Sequence, residues 1–275
     1  MKIKDFVYFY RIRTWKNKNT WLTTLMYAFF GYIVASNFNP FLIAINTLVL
    51  SGIAMCLFAL NNLFDFKLNG ENNFIGEQIK KGLSYKKALI YSFAPLLTFP
   101  LVLFTNITAT VLALTVLILG LFYTLPSFRA KDKKYGWLLN AVGVGVVFLQ
   151  AYFAIGGVLN TTIIMLLVII LLFHTYVDCF HILADHKLRE TKIEIKKIKK
   201  LVRSMPIVSL LISLLFAIFN PIFLITSFFS LVRLKALRKI DSTDHCKIRF
   251  SAFGPFISPL YSSYEFAVYG VWFLL

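Results

Sequence analysis

Acidic residues are scarce in this sequence, and charged residues of either sign are few. The 275 residues include 12 Asp and Glu against 29 Lys and Arg, and charged residues make up only 15% of the chain. Hydrophobic residues make up 59%, and the mean hydropathy is +0.74. Because soluble globular domains carry more charge and less apolar content, the composition excludes an ordinary soluble domain and indicates a protein embedded in a bilayer.

Cysteine is also sparse. Cys56, Cys179 and Cys246 form no CxxC pair, so they supply no zinc-binding framework, and we interpret them as packing residues. The first 19 residues lack a short apolar core followed by small residues at a cleavage site. We therefore expect no cleaved signal peptide.

Long apolar segments fill most of the chain. A helix that crosses hydrocarbon about 30 Å thick needs roughly 20 apolar residues. Nine segments near that length are predicted, at 20–37, 41–60, 87–105, 107–125, 136–157, 161–180, 203–219, 221–234 and 253–275. The predicted fold is an all-α integral membrane protein, a bundle of about nine transmembrane helices that forms a single membrane domain over residues 1–275.

Basic residues are confined to alternate connections between these segments. All 29 Lys and Arg lie in or next to 1–19, 61–86, 126–135, 181–202 and 235–252, and none lies in the short turns on the other side. The positive-inside rule then places the N-terminus and these loops in the cytoplasm and the C-terminus outside. The net charge of +17 is explained by a solvated surface that faces anionic membrane lipids, and no nucleic-acid partner is expected.

The N-terminal segment is rich in basic and aromatic residues. We interpret it as a helix on the membrane surface, with Tyr8, Tyr10 and Trp15 at the level of the lipid headgroups.

Two groups of polar side chains interrupt the apolar pattern at the predicted cytoplasmic face. They are Asn61, Asp65 and Asn69 after the second span, and Asp178, His181 and Asp185 after the sixth. The spacings i, i+4, i+8 and i, i+3, i+7 each place three side chains on one helical face. Carboxylates and amides at a membrane boundary are costly unless they are hydrated, paired or bound to a cation.

Two converging rows of oxygen ligands suit a hard divalent cation such as Mg²⁺. Mg²⁺ completes its coordination with water and phosphate oxygens, so the pattern predicts a diphosphate held by the metal between the two helix ends. Taken alone, the first group fits a helix cap equally well, and the acids of the second would fit pairing with nearby Lys or Arg. Their recurrence on one predicted face favours the metal.

These residues resemble the two aspartate-rich motifs of the UbiA-type intramembrane prenyltransferase family, which follow that family's second and sixth helices. The first family motif, NxxxDxxxD with a later Asn, is matched by Asn61, Asp65, Asn69 and Asn72, and the second, DxxDxxxD with a later Thr, by Asp178, His181, Asp185 and Thr191. Asn69 and His181 stand where the family has acids, so two anionic ligands are replaced by neutral or weaker ones.

A third segment, "LFYTLPSFRAKDKKYG", is similar to the family's Tyr-Ser-x-Pro-Pro-x-Arg-x-Lys stretch after its fourth helix. Tyr123, Pro126, Arg129 and Lys131 fall in register. The three motifs occur in the family's order, and the resemblance covers nearly the whole chain.

The resemblance implies an enzyme, a Mg²⁺-dependent transferase that moves a polyprenyl group from an isoprenoid diphosphate to a lipophilic acceptor. That acceptor would be a quinone-precursor aromatic or the glycerol phosphate of an ether lipid. The metal ligands that it implies are Asp65, Asp178 and Asp185, supported by Asn61 and Asn69. The substrate-binding candidates are Asn61, Lys67, Asn72, Arg129, Lys131 and Lys192, with Tyr123 facing the reacting carbon.

Other functions fit parts of the pattern. A polyprenyl-phosphate phosphoribosyltransferase of the same fold, or a non-catalytic lipid-binding relative, would share the helices and the loops. A multi-pass transporter would site its polar groups near the bilayer midplane, whereas these acids cluster at one face. Glu265 is an acid inside a predicted span, away from that face, and is not assigned to the site. We expect a multi-pass protein of the cell membrane with its active site facing the cytoplasm.

Overall fold

Every regular element of the described chain is helical. The computed structural model describes residues 3–12, 20–35, 37–133, 135–185, 195–237 and 263–274. The α-helices are α1 (Ile3–Phe9), α2 (Thr20–Val34), α3 (Pro40–Asn69), α4 (Phe74–Lys80), α5 (Tyr85–Phe93), α6 (Ile107–Thr124), α7 (Gly136–Ala154), α8 (Thr161–Asp185), α9 (Ile195–Ala217), α10 (Leu224–Leu237) and α11 (Ser263–Leu274). Short 3₁₀ segments are Ala94–Phe104, Ala130–Asp132 and Pro221–Phe223.

Six of the described helices are long and apolar enough to cross a membrane. They are Pro40–Asn69, Tyr85–Phe104, Ile107–Thr124, Gly136–Ala154, Thr161–Phe180 and Lys196–Ala217. Large apolar side chains such as Leu97 and Ile218 are 84% and 77% exposed, which suits contact with lipid tails rather than water. The chain is therefore a multi-pass helical membrane protein. The first, eighth and ninth predicted spans contain shorter helices, so the number of nine crossings and the orientation of the termini stay predictions.

The described residues group into two compact units. Unit 1 comprises Met1–Lys131 and Val146–Val158, and unit 2 comprises Asp132–Gly145 and Leu159–Leu275. Helix α7 thus contributes its first turns to unit 2 and its last turns to unit 1. The single domain expected from the sequence stays a prediction.

Helix α3 carries the first polar motif in unit 1, and both of its ends are specified locally. Asn39 caps its start by accepting a 3.1 Å hydrogen bond from the Leu42 N–H, and Pro40 fits the first helical position, where no N–H is needed. Gly70, with φ 62°, ends the helix in the left-handed conformation that glycine adopts without strain. The helix therefore extends nine residues beyond its predicted apolar end at residue 60 and includes Asn61, Asp65 and Asn69.

In unit 1, helix α3 packs closely against the 3₁₀ segment Ala94–Phe104. Pro95 and Pro100 lack the N–H that an α-helix needs, which accounts for the change from α5 to 3₁₀ geometry at Ala94. A Cβ atom on Gly52 would collide with the Thr98 hydroxyl and the Pro95 carbonyl. Glycine at this position thus allows α3 to pack against the segment.

A buried pair of amides joins α3 to the last turns of α7. The side-chain amide of Gln150 donates to the side-chain oxygen of Asn46 at 2.7 Å, and the side-chain amide of Asn46 donates to the side-chain oxygen of Gln150 at 3.0 Å. Asn46 also donates to the Tyr32 hydroxyl of α2 at 2.8 Å. Both amides are fully buried. Because interhelical hydrogen bonds in membranes contribute about 0.6–2 kcal/mol each, this network helps to set how the three helices align.

The N-terminal segment packs against the protein at Phe9 and Tyr10, so the prediction that Tyr10 lies among lipid headgroups is wrong. Tyr8 is half-buried, and its place at the headgroups stays a prediction. Phe9 and Tyr10 are 1% and 3% exposed and belong to a core cluster with Leu63 and Ile75. The Tyr10 hydroxyl donates to the Tyr91 carbonyl at 2.8 Å. Trp15 lies outside the described residues. The buried aromatic side chains of this segment pack against α3 and α4. Local sequence alone does not reveal these contacts.

Unit 2 is built around contacts of α8 with α9 and of α9 with α10. Its core includes Phe223 and Tyr269, both fully buried. A row of polar side chains on α10 is also buried: Thr226, Ser227, Ser230 and Arg233. The Ser227 hydroxyl lies 2.8 Å from that of Ser213 on α9, so part of this row hydrogen-bonds across helices.

Candidate active site

The carboxylate of Asp65 is the centre of a buried polar group at the end of α3. Its Oδ1 accepts a 2.8 Å hydrogen bond from the Arg129 guanidinium and also contacts the Lys131 ammonium. Its Oδ2 accepts a hydrogen bond from the side-chain amide of Asn61 at 3.0 Å, and the side-chain oxygen of Asn61 accepts one from Lys131 at 2.8 Å. We call Asn61, Asp65, Arg129 and Lys131 the Asp65 cluster.

Local backbone geometry brings the two cations to Asp65. Helix α6 ends at Thr124, and the Arg129 N–H donates to the Leu125 carbonyl at 2.7 Å. Arg129 has φ 39°, in the left-handed region, which costs a non-glycine residue roughly 1–2 kcal/mol. The single 3₁₀ turn Ala130–Asp132 then presents Lys131.

The Asp65 cluster places two cations around one carboxylate. Both Arg129 and Lys131 contact Asp65. The Asp65 side chain is 2% exposed, and those of Arg129 and Lys131 are 10% and 6% exposed. Two cations fixed in one place also suit the binding of a further anion. Arg and Lys are the residue types that bind phosphate oxygens.

Other residues of the first and third motifs lie apart from these contacts. Lys67 is exposed and places its ammonium 4.7 Å from the centre of the Tyr85 ring. Asn69 and Asn72 are exposed, at the last residue of α3 and in the connection to α4. Tyr123 is half-buried near the end of α6. The structure thus brings together four of the predicted residues of unit 1, and roles for the others stay predictions.

The neighbour of Asn72 has a clear structural role that the sequence analysis missed. Asn73 caps α4 by accepting from the Gly76 N–H at 2.9 Å, and its amide donates to the Asn62 carbonyl at 2.8 Å. It thereby ties α4 to α3. The signal was an Asn immediately before a short apolar helix, a common N-cap pattern.

Asp178 lies on α8 in unit 2. Its Oδ2 accepts a 2.7 Å hydrogen bond from the Asn140 amide of α7, and its Oδ1 is 3.7 Å from His174 Nε2. The Asn140 amide is also 3.1 Å from His174 Nε2. The side chain of Asp178 is 17% exposed. Among the described residues, no Lys or Arg forms an ion pair with it.

Asn140 and His174 were not predicted as neighbours of Asp178. His174 and Asp178 are spaced i, i+4, which places them on one face of α8, so that pair was accessible from the sequence. Asn140 comes from another helix and had no local signal. Asp185 is the last residue of α8, seven positions beyond Asp178. The side chains of His181 and Asp185, and all of Lys192, lie outside the described part of the chain.

The carboxylates of Asp65 and Asp178 are ligands of the type that Mg²⁺ takes. No group of three or more His, Cys, Asp or Glu side chains gathers among the described residues, so none of them forms a closed metal cage. Asp178 presents a mostly buried carboxylate that no described Lys or Arg neutralises, whereas the Asp65 carboxylate is paired with Arg129 and Lys131. Mg²⁺ typically takes one or two protein carboxylates and completes its coordination with water and phosphate. Each carboxylate therefore suits Mg²⁺ that is bound together with a diphosphate.

Glu265 forms a second buried ion pair, in unit 2. Its carboxylate accepts from Arg233 at 2.6 Å and from the Thr226 hydroxyl at 2.5 Å. The Arg233 guanidinium also lies 5.1 Å from the Phe173 ring and 5.7 Å from the Tyr176 ring, both on α8. Arg233 was grouped with the loop cations in the sequence and was not paired with Glu265, which lies 32 positions further along the chain.

Comparison with known proteins gives matches by structure rather than by sequence. No protein-family model matches the sequence, and no curated protein matches it. A digeranylgeranylglyceryl phosphate synthase structure superposes with a TM-score of 0.73 at 16% identity, covering 98% of each chain. The chain has the UbiA fold. A UbiA homologue from Archaeoglobus fulgidus bound to DMAPP and Mg²⁺ matches with a TM-score of 0.73 at 18% identity, over 97% of this chain and 99% of that one.

A second structure of the Archaeoglobus fulgidus UbiA homologue, bound to GPP and Mg²⁺, matches equally well. Its TM-score is 0.73 at 17% identity, over 96% of this chain and 99% of that chain. The resemblance inferred from the three short motifs is therefore confirmed at the level of the fold. At 16–18% sequence identity, this likeness establishes the UbiA fold and not the reaction.

Proposed function

We propose that this chain is a Mg²⁺-dependent membrane prenyltransferase, which transfers a polyprenyl group from an isoprenoid diphosphate to a lipophilic acceptor. The observation that carries the proposal is the Asp65 cluster, in which two buried cations contact one carboxylate. The UbiA fold supports it, because solved structures of that fold hold DMAPP or GPP with Mg²⁺.

The reaction breaks the allylic C–O bond of the donor, and the electron pair leaves with the diphosphate oxygen. The acceptor's nucleophilic atom forms the new bond to the allylic carbon and loses its proton to water. Negative charge grows on the leaving diphosphate in the transition state, so cations aimed at it lower the barrier. Arg129 and Lys131 supply two of these cations, and bound Mg²⁺ would supply further Lewis-acid stabilisation there.

An asparagine side chain orients each of the two acids, Asp65 and Asp178. In unit 1, Asn61 orients the Asp65 carboxylate and also accepts from Lys131, so one amide holds both groups in place. In unit 2, Asn140 orients Asp178 from a neighbouring helix. Hydrogen bonds of this kind fix the orientation of a metal ligand and change its basicity. We assign Asp65, Asp178 and Asp185 as metal ligands with Asn61 and Asn69 in support, and Tyr123 as the ring that faces the developing cation.

The acceptor is a quinone-precursor aromatic or an ether-lipid glycerol phosphate. Both accept a prenyl group at a nucleophilic carbon or hydroxyl oxygen. We place the protein in the cell membrane with the diphosphate site facing the cytoplasm, because all basic residues lie in or beside the loops predicted on that side. Donor diphosphates are water-soluble at their charged end, which suits that location.

The test is a transfer assay with the purified full chain. Labelled geranylgeranyl diphosphate is incubated with Mg²⁺ and a panel of both acceptor classes, and product is compared for the native protein, Asp65→Ala and Asp178→Ala. Glu71→Ala removes an exposed acid from the connection after α3 and is the matched control. We expect transfer by the native protein and the control, and its loss in both site variants and on chelation of Mg²⁺.

Two results would contradict the proposal. Turnover that survives both site substitutions would reject the assigned ligands. Absence of prenyl transfer to every acceptor, with transfer of a phosphoribosyl group to a polyprenyl phosphate in a parallel assay, would reject the reaction while leaving the fold unaffected.

A further inference from the structure

A basic groove lies along the first turns of α9 in unit 2. Its volume is about 400 Å³. The side chains that line it are Lys196, Lys199, Lys200, Arg203, Ser204 and Ile207. The four cations are spaced i, i+3, i+4 and i+7, so they share one face of the helix. None of these residues belongs to the candidate active site.

The opposite face of the same turns is buried in unit 2. Ile198 and Val202 are 2% and 1% exposed, which holds the basic face outward. Within the described part of the chain, no acidic side chain forms an ion pair with Lys196, Lys199 or Lys200. These three lysines therefore carry positive charge that neighbouring described residues do not cancel, and the helix dipole adds to it at this end.

The basic face continues directly into an apolar one. Beyond Arg203, exposed residues on the same side of α9 are Ile207 at 48%, Leu211 at 63% and Leu214 at 46%. Their spacing keeps them in line with the groove along the helix. Lys196–Ala217 is also one of the six helices able to cross a membrane. The surface thus changes from cationic to apolar along one helix, as a bilayer changes from headgroup to acyl chain.

We propose that this groove binds an anionic glycerophospholipid of the surrounding bilayer. The lipid phosphate lies among Lys196, Lys199, Lys200 and Arg203, and an acyl chain follows Ile207 and Leu211. A soluble phosphate would use the cations but not the apolar row, so the continuous surface favours the intact lipid. The inference is independent of the prenyltransferase proposal, because it uses no residue of the Asp65 cluster and not Asp178.

The test counts lipids bound to the purified full chain by native mass spectrometry. The protein is taken from bilayers of phosphatidylcholine mixed with phosphatidylglycerol. The groove variant is K196Q/K199Q/K200Q/R203Q. The control variant K80Q/K81Q/K86Q/K87Q removes the same number of charges from exposed positions of unit 1. We expect the control to retain phosphatidylglycerol and the groove variant to lose it, with affinity falling about fivefold per cation removed, equivalent to about 1 kcal/mol each.

Further measurements distinguish binding of the intact lipid from binding of a free anion and from misfolding of the variant. The variant K196R/K199R/K200R keeps the charges and should keep the bound lipid. Glycerophosphoglycerol, which is the headgroup without acyl chains, and inorganic phosphate should compete poorly. Equal loss in the groove and control variants, unchanged binding in the groove variant, or equal competition by the soluble anions would each overturn the proposal.

Discussion

Arg129 donates a 2.8 Å hydrogen bond from its guanidinium to the carboxylate of Asp65, although 64 positions separate them in the chain. Both side chains are buried, and Lys131 contacts the same carboxylate oxygen. This relationship joins the first motif to the third and gives one carboxylate two cationic partners. In this state the two cations neutralise Asp65, and a bound diphosphate would give them a second anion to share.

Replacing Asp65 by Asn should destabilise the protein and make its stability depend on diphosphate. The neutral side chain removes the carboxylate charge that Arg129 and Lys131 both contact, and breaking a buried pair in this way costs about 3 kcal/mol. Thermal unfolding in detergent should show a lower Tm for Asp65→Asn, partly restored by inorganic diphosphate, while Glu71→Gln changes nothing. An Asp65→Asn variant with native Tm and no response to diphosphate would contradict the charge argument.

Removing either cation of the Asp65 cluster should weaken donor binding. A hydrogen bond to a charged group contributes about 1.5–3 kcal/mol, so Arg129→Met and Lys131→Met should each raise the KM for the isoprenoid diphosphate about 10- to 100-fold. Lys133→Met removes an exposed cation two positions further on and is the control. The measurement is steady-state kinetics against donor concentration. If all three variants had the same KM, the phosphate-binding role would be wrong.

The prediction that Asp65 and Asp178 hold one cation can be tested by a double-mutant cycle. Mn²⁺ binding is measured by paramagnetic resonance in the presence of a non-hydrolysable diphosphate analogue, for native protein, Asp65→Ala, Asp178→Ala and the double variant. Ligands of one ion should be non-additive, with an interaction energy of about 1 kcal/mol or more. Strictly additive losses would show that the two acids act on separate ions.

The ion pair between Arg233 and Glu265 should stabilise the folded protein, because each buried charge compensates the other. Glu265→Gln leaves Arg233 as an uncompensated buried cation, which should cost about 3 kcal/mol, and the double variant Arg233→Met with Glu265→Gln should recover part of that loss. Chemical unfolding in detergent measures both. Lys235→Met, at an exposed position two residues later, should have no effect. A double variant less stable than Glu265→Gln alone would indicate that the pair acts through packing rather than charge.

Much of the first motif was predictable because it depends on local spacing. Asn61 and Asp65 lie four positions apart, and α3 does place them together with a 3.0 Å hydrogen bond. The helix end was less predictable, because Gly70 rather than the loss of apolar residues ends α3. Residue 60 marks where the apolar run stops, whereas backbone hydrogen bonding continues to Asn69.

The partners of the acids were not predictable in the same way. Asn140 reaches Asp178 from a different helix, and Arg233 reaches Glu265 across 32 positions. Helices that are apolar on every side show weak periodicity, so the sequence does not indicate which face meets which neighbour. In lipid, shape and interhelical hydrogen bonds decide that question.

Composition and short-range spacing were enough to predict that the chain is helical and embedded in a membrane, and that Asp65 and Asp178 lie near the ends of their helices. These properties act along the chain. The contacts of Arg129 and Lys131 with Asp65, of Asn140 with Asp178 and of Arg233 with Glu265 appear only once the helices are packed. Those contacts join distant segments, and their formation depends on how packed helices balance the cost of burying each charge.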